Sequence, residues 1–295
     1  MKLERREFEL LRDMIYEKAG IMFEDRKRIF IQTRLARRLP EVGCADAREY
    51  YRYLRYQDPS GEEWQALIDS VTTNETYFFR EFPQLMCFAD QALPDIADSK
   101  RAISDYTLNV WSAACSTGDE PYTLAIILKA CLDDFHKWRI KLDATDIDSK
   151  VLASARRASY SSRGVKDVPE EYLSQYFQTR LGQYQVVDEI RNMVKFSQVN
   201  LMDSSAMRRY RNYDFIFCRN VLIYFDDASR KQVLSSFYDA LAPGGYIFLG
   251  HSESVGRISA AFEMVRLGED IAYRKPLDGS REGRKTAGGV LCQSA

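Results

Sequence analysis

A run of small and acidic residues near the middle of the chain has the composition of a ligand-binding turn. It follows the apolar segment 108–111 and reads Ser-Ala-Ala-Cys-Ser-Thr-Gly-Asp-Glu-Pro-Tyr over residues 112–122. Small side chains let backbone N–H groups and a helix N-terminus approach a ligand. The single Gly118 matches neither the dinucleotide motif nor a phosphate loop, and Asp119 and Glu120 favour a ligand with positively charged or hydroxyl groups. The alternative is an ordinary strand–helix turn whose acidic residues interact favourably with the helix dipole.

A second acidic residue lies at the end of the next predicted strand, which covers residues 140–144. In an open α/β sheet, ligands bind at the carboxyl ends of the strands, so Asp146 is placed to accept hydrogen bonds from ribose hydroxyls. It follows Gly118 by 28 residues, more than the roughly 20 of a dinucleotide site. The alternative is a helix N-cap, but Asp148 or Ser149 suits that position better and leaves Asp146 for a ligand.

Residues 72–81 combine hydrogen-bonding side chains with three aromatic rings and an arginine, in the order Thr-Thr-Asn-Glu-Thr-Tyr-Phe-Phe-Arg-Glu. A loop that is both polar and aromatic can line a pocket for an amphipathic ligand. The alternative is an interdomain linker whose aromatic side chains pack under the core. The segment alone leaves both interpretations open.

Two regions of different periodicity must position these segments. Residues 1–60 predict three helices, at 8–19 with Gly20 at its end, at 25–39 before Pro40, and at 46–56. From residue 108 strands and helices alternate, with further strands at 194–200, 213–218 and 246–249 and a helix at 228–241 that ends at the breakers 242–245. Residues 160–193 predict an inserted β-subdomain, and residues 262–275 predict two closing strands. The pattern indicates an α/β domain that follows an all-α one.

The overall composition excludes several classes of function. The 295 residues carry a net charge of −1, with 45% hydrophobic and 29% charged residues, so no global field attracts nucleic acid or a membrane. We expect a cytoplasmic protein without membrane insertion, because no apolar run has spanning length and the N-terminus is too charged for a signal peptide. Six scattered cysteines and two histidines lack metal-ligand spacing, and we expect no metal site.

The predicted second helix is strongly basic, with six arginine and lysine residues from Arg26 to Arg38. Residues 1–40 contain 11 Lys and Arg against 7 Asp and Glu, an excess that the whole chain lacks. This excess predicts a surface for an acidic partner, and a solvated basic face is the alternative. Nucleic acid fits less well, because few aromatic residues alternate with the basic ones.

Four segments in order together resemble the chemotaxis receptor methyltransferases, the CheR family. They are Thr-Asn-Glu-Thr-Tyr-Phe-Phe-Arg (73–80), Ser-Thr-Gly-Asp-Glu-Pro-Tyr (116–122), Ala-Thr-Asp-Ile-Asp (144–148) and Phe-Cys-Arg-Asn-Val-Leu-Ile-Tyr-Phe (217–225). Segments 241–246 and 250–254 agree with them, so the resemblance covers about residues 5–275. It implies transfer of a methyl group from S-adenosylmethionine to protein glutamate side chains, with S-adenosylhomocysteine as the product.

The resemblance also implies an architecture. A helical substrate-recognition domain over residues 1–80 precedes a class I methyltransferase domain over 81–277, which is Rossmann-like with a mostly parallel sheet. The small β-subdomain at about 160–193 belongs to the family pattern, and in some members it binds a peptide at the receptor's C-terminus. The composition of residues 278–295 predicts a disordered tail.

The site residues follow from the same resemblance. The cofactor-contacting positions fall on Asn74, Thr76, Arg80, Glu120, Asp146, Asn200, Leu201, Arg219 and Asn220. Arg80 and Tyr224 are the candidates for holding the attacking oxygen of the acceptor glutamate. Because the reference pKa of glutamate is about 4.3, the acceptor is already ionised at neutral pH and needs no general base. The expected partners are the acidic cytoplasmic helices of chemoreceptors, which the basic second helix would bind.

Three alternatives to this function stay open. The chain could be a class I methyltransferase with a different acceptor, although the motifs of base methylation are absent. It could be a non-catalytic signalling module that keeps the fold and binds the cofactor as a structural ligand. A dehydrogenase with a nucleotide cofactor is the third.

Overall fold

The computed structural model describes residues 2–255 and 261–277, so the predicted tail lies outside the described residues. The helices are α1 (Arg5–Ala19), α2 (Arg28–Arg38), α3 (Ala47–Tyr56), α4 (Glu62–Val71), α5 (Phe82–Cys87), α6 (Leu93–Ala102), α7 (Asp119–Cys131), α8 (Ser149–Arg157), α9 (Glu170–Tyr176), α10 (Asp188–Arg191), α11 (Ser204–Met207) and α12 (Asp227–Ala240). The strands are β1 (Thr107–Ala113), β2 (Arg139–Asp146), β3 (Ser159–Tyr160), β4 (Phe177–Arg180), β5 (Gln183–Val186), β6 (Val194–Gln198), β7 (Tyr213–Cys218), β8 (Leu241–Leu249), β9 (Glu263–Leu267) and β10 (Asp270–Arg274).

The N-terminal helices form where local sequence signals predict them. Helix α1 begins at a capping box between Glu4 and Glu7 and ends at Gly20, whose φ of 70° lies in the left-handed region. Helix α3 begins at Asp46, whose carboxylate accepts the N–H of Glu49 at 2.8 Å. These helices and α4 bury one apolar cluster of their own, which confirms the predicted all-α region.

The predicted second helix is divided into three segments. A 3-10 turn covers Asp25–Lys27, helix α2 follows, and a second 3-10 turn covers Leu39–Val42. Pro40 lies in the first turn of that last segment, where its missing N–H costs no hydrogen bond. The basic residues from Arg26 to Arg38 therefore lie on two elements, a 3-10 turn and α2.

A seven-stranded sheet with the order β6-β2-β1-β7-β8-β10-β9 forms the centre of the larger region. Strands β1, β2, β6, β7 and β8 pair in parallel, and β10 pairs antiparallel with β8 and β9. Chain order reverses between β1 and β7, so the crevice at their carboxyl ends is where an open α/β sheet binds its ligand. The predicted Rossmann-like, mostly parallel sheet is confirmed.

The strand β8 begins earlier than the sequence predicts. The breakers Pro243, Gly244 and Gly245 were expected to separate the helix from a strand at 246–249, but β8 starts at Leu241, directly after α12. A register shift in the pairing with β7 accommodates them. A Cβ on Gly245 would lie 2.8 Å from the carbonyl oxygen of Tyr213, so only glycine lets these two strands approach.

A second, three-stranded sheet with the order β3-β5-β4 forms the inserted β-subdomain. It packs on the polar and aromatic segment 72–81 through Phe78, whose ring meets those of Tyr160 and Phe177 edge to face at 4.7 and 5.0 Å. Phe79 is also buried, whereas the Tyr77 ring lies against the Arg80 guanidinium at 5.8 Å. The segment therefore combines both interpretations: two of its aromatic rings pack into the core, and its polar residues line a pocket.

Within the described residues, no helix is long and apolar enough to cross a membrane.

Candidate functional site

One cleft lies at the carboxyl ends of β1, β2 and β7, beneath the N-terminal helices. It encloses about 1370 Å³ of empty space, including the part that opens to solvent. All ten predicted site residues line it, namely Asn74, Thr76, Arg80, Glu120, Asp146, Asn200, Leu201, Arg219, Asn220 and Tyr224. Segments far apart in the sequence thus converge on a single site, to which the α1–α2 connection adds Ile21, Met22 and Phe23.

The turn after β1 forms the floor of the cleft in an unusual backbone conformation. Ala114, Ser116 and Gly118 have φ values of 62°, 49° and 91°. A side chain on Gly118 would lie 2.9 Å from the Cβ of Ala155, so glycine is required both by its φ and by this close approach. Left-handed conformations at non-glycine residues cost about 1–3 kcal/mol each and persist where the surroundings enforce them, which is typical of ligand sites.

The carboxylate of Asp146 holds this turn in place. One oxygen accepts the N–H of Ser116 at 2.8 Å and the other accepts the N–H of Asp148 at 2.9 Å. Burial raises the pKa of Asp146 to about 6. Each carboxylate oxygen has a second lone pair that can accept from a ligand hydroxyl. The predicted N-cap of α8 is Asp148, whose carboxylate accepts from Lys150 and Val151.

A buried arginine lies between two carboxylates on the opposite wall. The Arg219 guanidinium is 3.2 Å from Glu81 and 3.5 Å from Glu120, and it also donates to the carbonyl oxygen of Arg80. Glu120 accepts a further bond from the Ser112 hydroxyl at 2.7 Å. Burial raises the pKa of Glu120, so this carboxylate gains from any positively charged ligand group placed beside it.

Glu81 has left-handed backbone, with a φ of 56°, and its carboxylate binds the two residues that directly follow β7. It accepts from the side chains of Arg219 and Asn220, the latter at 3.1 Å, and His251 lies 3.1 Å away. Burial raises the pKa of Glu81, but the Arg219 charge and the Asn220 amide outweigh it, so the net pKa lies below its usual value. Asn220 is itself left-handed, with a φ of 60°.

Arg80 and Tyr224 lie where the cleft opens. The Arg80 guanidinium donates to the carbonyl oxygen of Glu75 at 2.8 Å, on the same segment. Tyr224 is 37% exposed, and its carbonyl oxygen accepts the N–H of Met22 at 2.9 Å. The connection between α1 and α2 therefore contacts the segment that carries a predicted catalytic residue.

The side chains of two predicted cofactor residues form hydrogen bonds with other protein groups. The amide of Asn74 donates to the carboxylate of Asp148 at 2.8 Å. The amide of Asn200 donates to the carbonyl oxygen of Lys18 at 2.6 Å and accepts from the N–H of Met202, so it fastens the end of α1 to the sheet region. Both residues line the cleft, as do Thr76 and the buried Leu201.

Comparisons with known proteins match this architecture in two parts. Residues 6–72 match the model of the CheR methyltransferase all-alpha domain, and residues 74–271 match that of the CheR methyltransferase SAM binding domain. The chain belongs to the CheR methyltransferase family. It is 42% identical to the chemotaxis protein methyltransferase 2 of Vibrio cholerae, over 92% of this chain and 93% of that one. It is 38% identical to the chemotaxis protein methyltransferase of Escherichia coli over 87% of each chain. It is 31% identical to the chemotaxis protein methyltransferase 1 of Pseudomonas aeruginosa, over 93% of this chain and 99% of that one.

The family assignment makes S-adenosylmethionine the cofactor of this chain, and the cleft fits it. The buried Nε of Arg219 has no hydrogen-bond partner within the protein, although its guanidinium faces the cleft. Asp146 keeps free lone pairs for hydroxyl donors, and Glu120 offers a buried negative charge. The acidic and hydroxyl-accepting character predicted from residues 112–122 and from Asp146 agrees with a sulfonium nucleoside.

The sequence interpretation missed two carboxylates that hold lining residues of this CheR-type cleft in place. Glu81 follows Arg80 directly and holds both Arg219 and Asn220. Glu253 accepts the backbone N–H of Asn220 at 2.8 Å. Glu81 directly follows one segment of the family resemblance and Glu253 lies in another, but their contacts with Arg219 and Asn220 span more than 30 residues of sequence, and no local pattern indicates them.

Within the described part of the chain, no group of three or more His, Cys, Asp and Glu residues could hold a metal ion.

Proposed function

We propose that this CheR-family protein esterifies glutamate side chains on the cytoplasmic helices of chemoreceptors. The observation that carries the proposal is the convergence of the ten predicted residues on one cleft, whose mouth is shared between the sheet region and the N-terminal helices. The curated relatives are named as chemotaxis methyltransferases, which supports a receptor substrate.

Four charged residues of the cleft have individual proposed roles, and the other lining residues complete the wall. Asp146 accepts from the ribose hydroxyls of the cofactor, and Glu120 binds its ammonium group. Arg80 binds the cofactor carboxylate or steers the acceptor, and the buried Arg219 neutralises the carboxylates around it. Asn74, Thr76, Asn200, Leu201 and Asn220 complete the cofactor wall through their position in the lining.

The chain's own contribution to the chemistry is positioning. When bound, S-adenosylmethionine supplies an electrophilic methyl group. The acceptor glutamate is ionised at neutral pH, since its reference pKa is about 4.3, so the protein has to orient the carboxylate and exclude water. This agrees with the absence of histidine among the described residues that line the cleft. Tyr224 and Arg80 are proposed to hold the acceptor oxygen at the mouth.

The proposed receptor surface is narrower than the sequence suggested. Arg38 is bound to the buried Glu63, and Arg34 lies over the Phe30 ring at 4.8 Å, so both serve the N-terminal core. Arg26 pairs with Glu24 at 2.7 Å, and Lys27 lies over the Phe30 ring at 5.6 Å. Arg28 and Arg37 are exposed on α2. We therefore assign the contact with acidic receptor helices to Arg28 and Arg37.

For a receptor C-terminal peptide, we propose a binding edge on the β-subdomain. Strand β4 lies at one edge of its sheet, and residues 178–180 along it are exposed. An extended peptide can add to such an edge through main-chain hydrogen bonds. Leu181, in the β4–β5 hairpin, is 97% exposed and offers an apolar contact beside that edge.

The decisive test uses cofactor labelled in its methyl group and a receptor cytoplasmic fragment. A glutamate methyl ester releases its label as methanol in base, so we expect base-labile counts on the fragment. Base-stable label would indicate another class of acceptor. Binding of S-adenosylhomocysteine without any transfer would favour the non-catalytic signalling module.

A further inference from the structure

The carboxylate of Glu253 lies behind the cleft and accepts three backbone N–H groups. Its Oε2 accepts from Gly250 and from Asn220, each at 2.8 Å, and its Oε1 accepts from Ile223 at 3.2 Å. Ile223 belongs to the 3-10 turn Leu222–Tyr224. One side chain on the loop after β8 therefore holds the whole turn that follows β7.

This turn needs an external anchor because Asn220 is left-handed, with a φ of 60°. Such a conformation persists only where the surroundings over-determine it. Glu253 holds its backbone N–H, and Glu81 holds its side-chain amide at 3.1 Å. A Cβ on Gly250 would lie 2.7 Å from the side-chain amide nitrogen of Asn220, so only glycine at position 250 leaves room for Asn220 in this conformation.

We propose that Glu253 is a positioning residue for methyl transfer. It is not among the residues that line the cleft, but it fixes the places from which Asn220 and Tyr224 line it. Removing its acceptor oxygens releases these two residues without removing any group that contacts a ligand. The inference rests on the proposed function, since it assumes that Asn220 contacts the cofactor and Tyr224 the acceptor.

The variant Glu253→Gln tests the roles of the two carboxylate oxygens separately. A glutamine has one acceptor oxygen, and at the position of Oε2 it keeps the N–H bonds of Gly250 and Asn220. Its NH2 group then faces the N–H of Ile223, and two donors cannot bond. The turn that carries Tyr224 loses its anchor, whereas Asn220 keeps its own. We expect kcat to fall about tenfold, the size of one lost orienting contact, while affinity for S-adenosylhomocysteine stays within about threefold.

A second variant, Gly250→Ala, disturbs Asn220 at the Oε2 side of the Glu253 carboxylate. The new Cβ would lie 2.7 Å from the side-chain nitrogen of Asn220 and 3.0 Å from Glu253 Oε2, so it displaces Asn220 and crowds the carboxylate at the Oε2 end, away from the Ile223 N–H. Here we expect affinity for S-adenosylhomocysteine to fall about tenfold. The control is Glu269→Gln, which changes an exposed carboxylate in the β9–β10 turn and should leave both quantities unchanged.

The experiment compares the full chain and these variants by calorimetric titration with S-adenosylhomocysteine, steady-state methylation of a receptor fragment and thermal melting. Unchanged kcat in Glu253→Gln, or a lowered Tm with normal kcat per folded molecule, would overturn the proposal. So would equal losses of affinity and kcat. If Glu253→Gln does not fold, Glu253→Asp takes its place, since a carboxylate one methylene shorter cannot reach all three N–H groups. If the wild-type chain itself transfers no methyl group, it is the proposed function that fails.

Discussion

The two walls of the cleft are held in different ways. On the wall after β1 and β2, the Ser116 and Asp148 N–H groups both donate to the buried Asp146, so a carboxylate of the sheet region fixes the turn itself. Beside it, Gln65 and Asp69 of α4 bind the Ile147 carbonyl oxygen and the Ser149 N–H. On the wall after β7, residues 220–226 also contact the N-terminal helices. Met22 donates to the Tyr224 carbonyl oxygen, and the Tyr16 hydroxyl donates to the Asp226 carboxylate at 2.8 Å.

This difference suggests a division of labour. A turn fixed by a carboxylate of its own domain is preorganised, which suits a cofactor that is the same in every turnover. The contacts on the wall after β7 fall directly on the segment that carries Tyr224, so this segment changes if the N-terminal region moves, which suits a protein acceptor that the region itself recognises. Cofactor binding and acceptor binding should then respond to different substitutions, and the predictions below test that separation in order of expected effect.

The largest effect is expected on the cofactor wall, from Asp146→Ala. This variant removes the proposed acceptor of two ribose hydroxyls and the anchor of the Ser116 turn. Affinity for S-adenosylhomocysteine should fall about 100-fold, which corresponds to two lost charge-assisted hydrogen bonds. Calorimetric titration measures it, with far-ultraviolet circular dichroism to confirm the fold. A loss below threefold would remove Asp146 from the cofactor site.

The next effect concerns the mouth of the cleft, through Arg80→Ala. The side chain makes one hydrogen bond within its own segment and lies against the Tyr77 ring, so the fold should survive its removal. Methyl transfer should fall more than roughly tenfold, the size of one lost orienting contact. Steady-state kinetics on a receptor fragment measure it, and a fully active variant would exclude Arg80 from the mechanism.

A smaller effect is expected on the shared side from the double variant Arg28→Glu, Arg37→Glu. Exposed charges on α2 steer an acidic helix, so kcat/KM for the receptor should fall several-fold at low salt and the difference should shrink as salt rises. Arg48→Glu, Arg52→Glu on α3 is the matched control, because both arginines are exposed there. An equal fall in cofactor affinity would contradict the separation of the two walls.

The sequence predicted the residues of both walls but not how each is held. The resemblance named Asn200 as a cofactor contact, yet its amide connects to the Lys18 carbonyl oxygen 182 residues away. Glu81 and Glu253 had no assigned role, because their contacts with Asn220 join positions that lie 139 and 33 residues apart in the sequence. The helices and strands were better predicted, since apolar periodicity is local. The predicted start of β8 was wrong, because pairing with β7 extends the strand through the breakers Pro243 and Gly245.

The smallest effect is a pH dependence of cofactor affinity. Burial raises the pKa of Asp146 to about 6, and ribose hydroxyls favour the ionised carboxylate, so affinity should fall as the pH drops through 6. From pH 7 to 5.5 the expected loss is about fourfold. The stability of the ligand-free protein has the opposite sign, because a raised carboxyl pKa contributes stability below about pH 4 that is lost as the pH rises through 6. Titrations across this range check the slope, and Asp146→Asn should flatten it.

The most direct test of the two-wall account is a crystal structure of the full chain with S-adenosylhomocysteine. The account predicts the ribose hydroxyls on Asp146, the ammonium group beside Glu120, and the sulfur facing the open side between Arg80 and Tyr224. A cleft filled by the protein's own side chains, or a ligand bound away from Asp146, would contradict it.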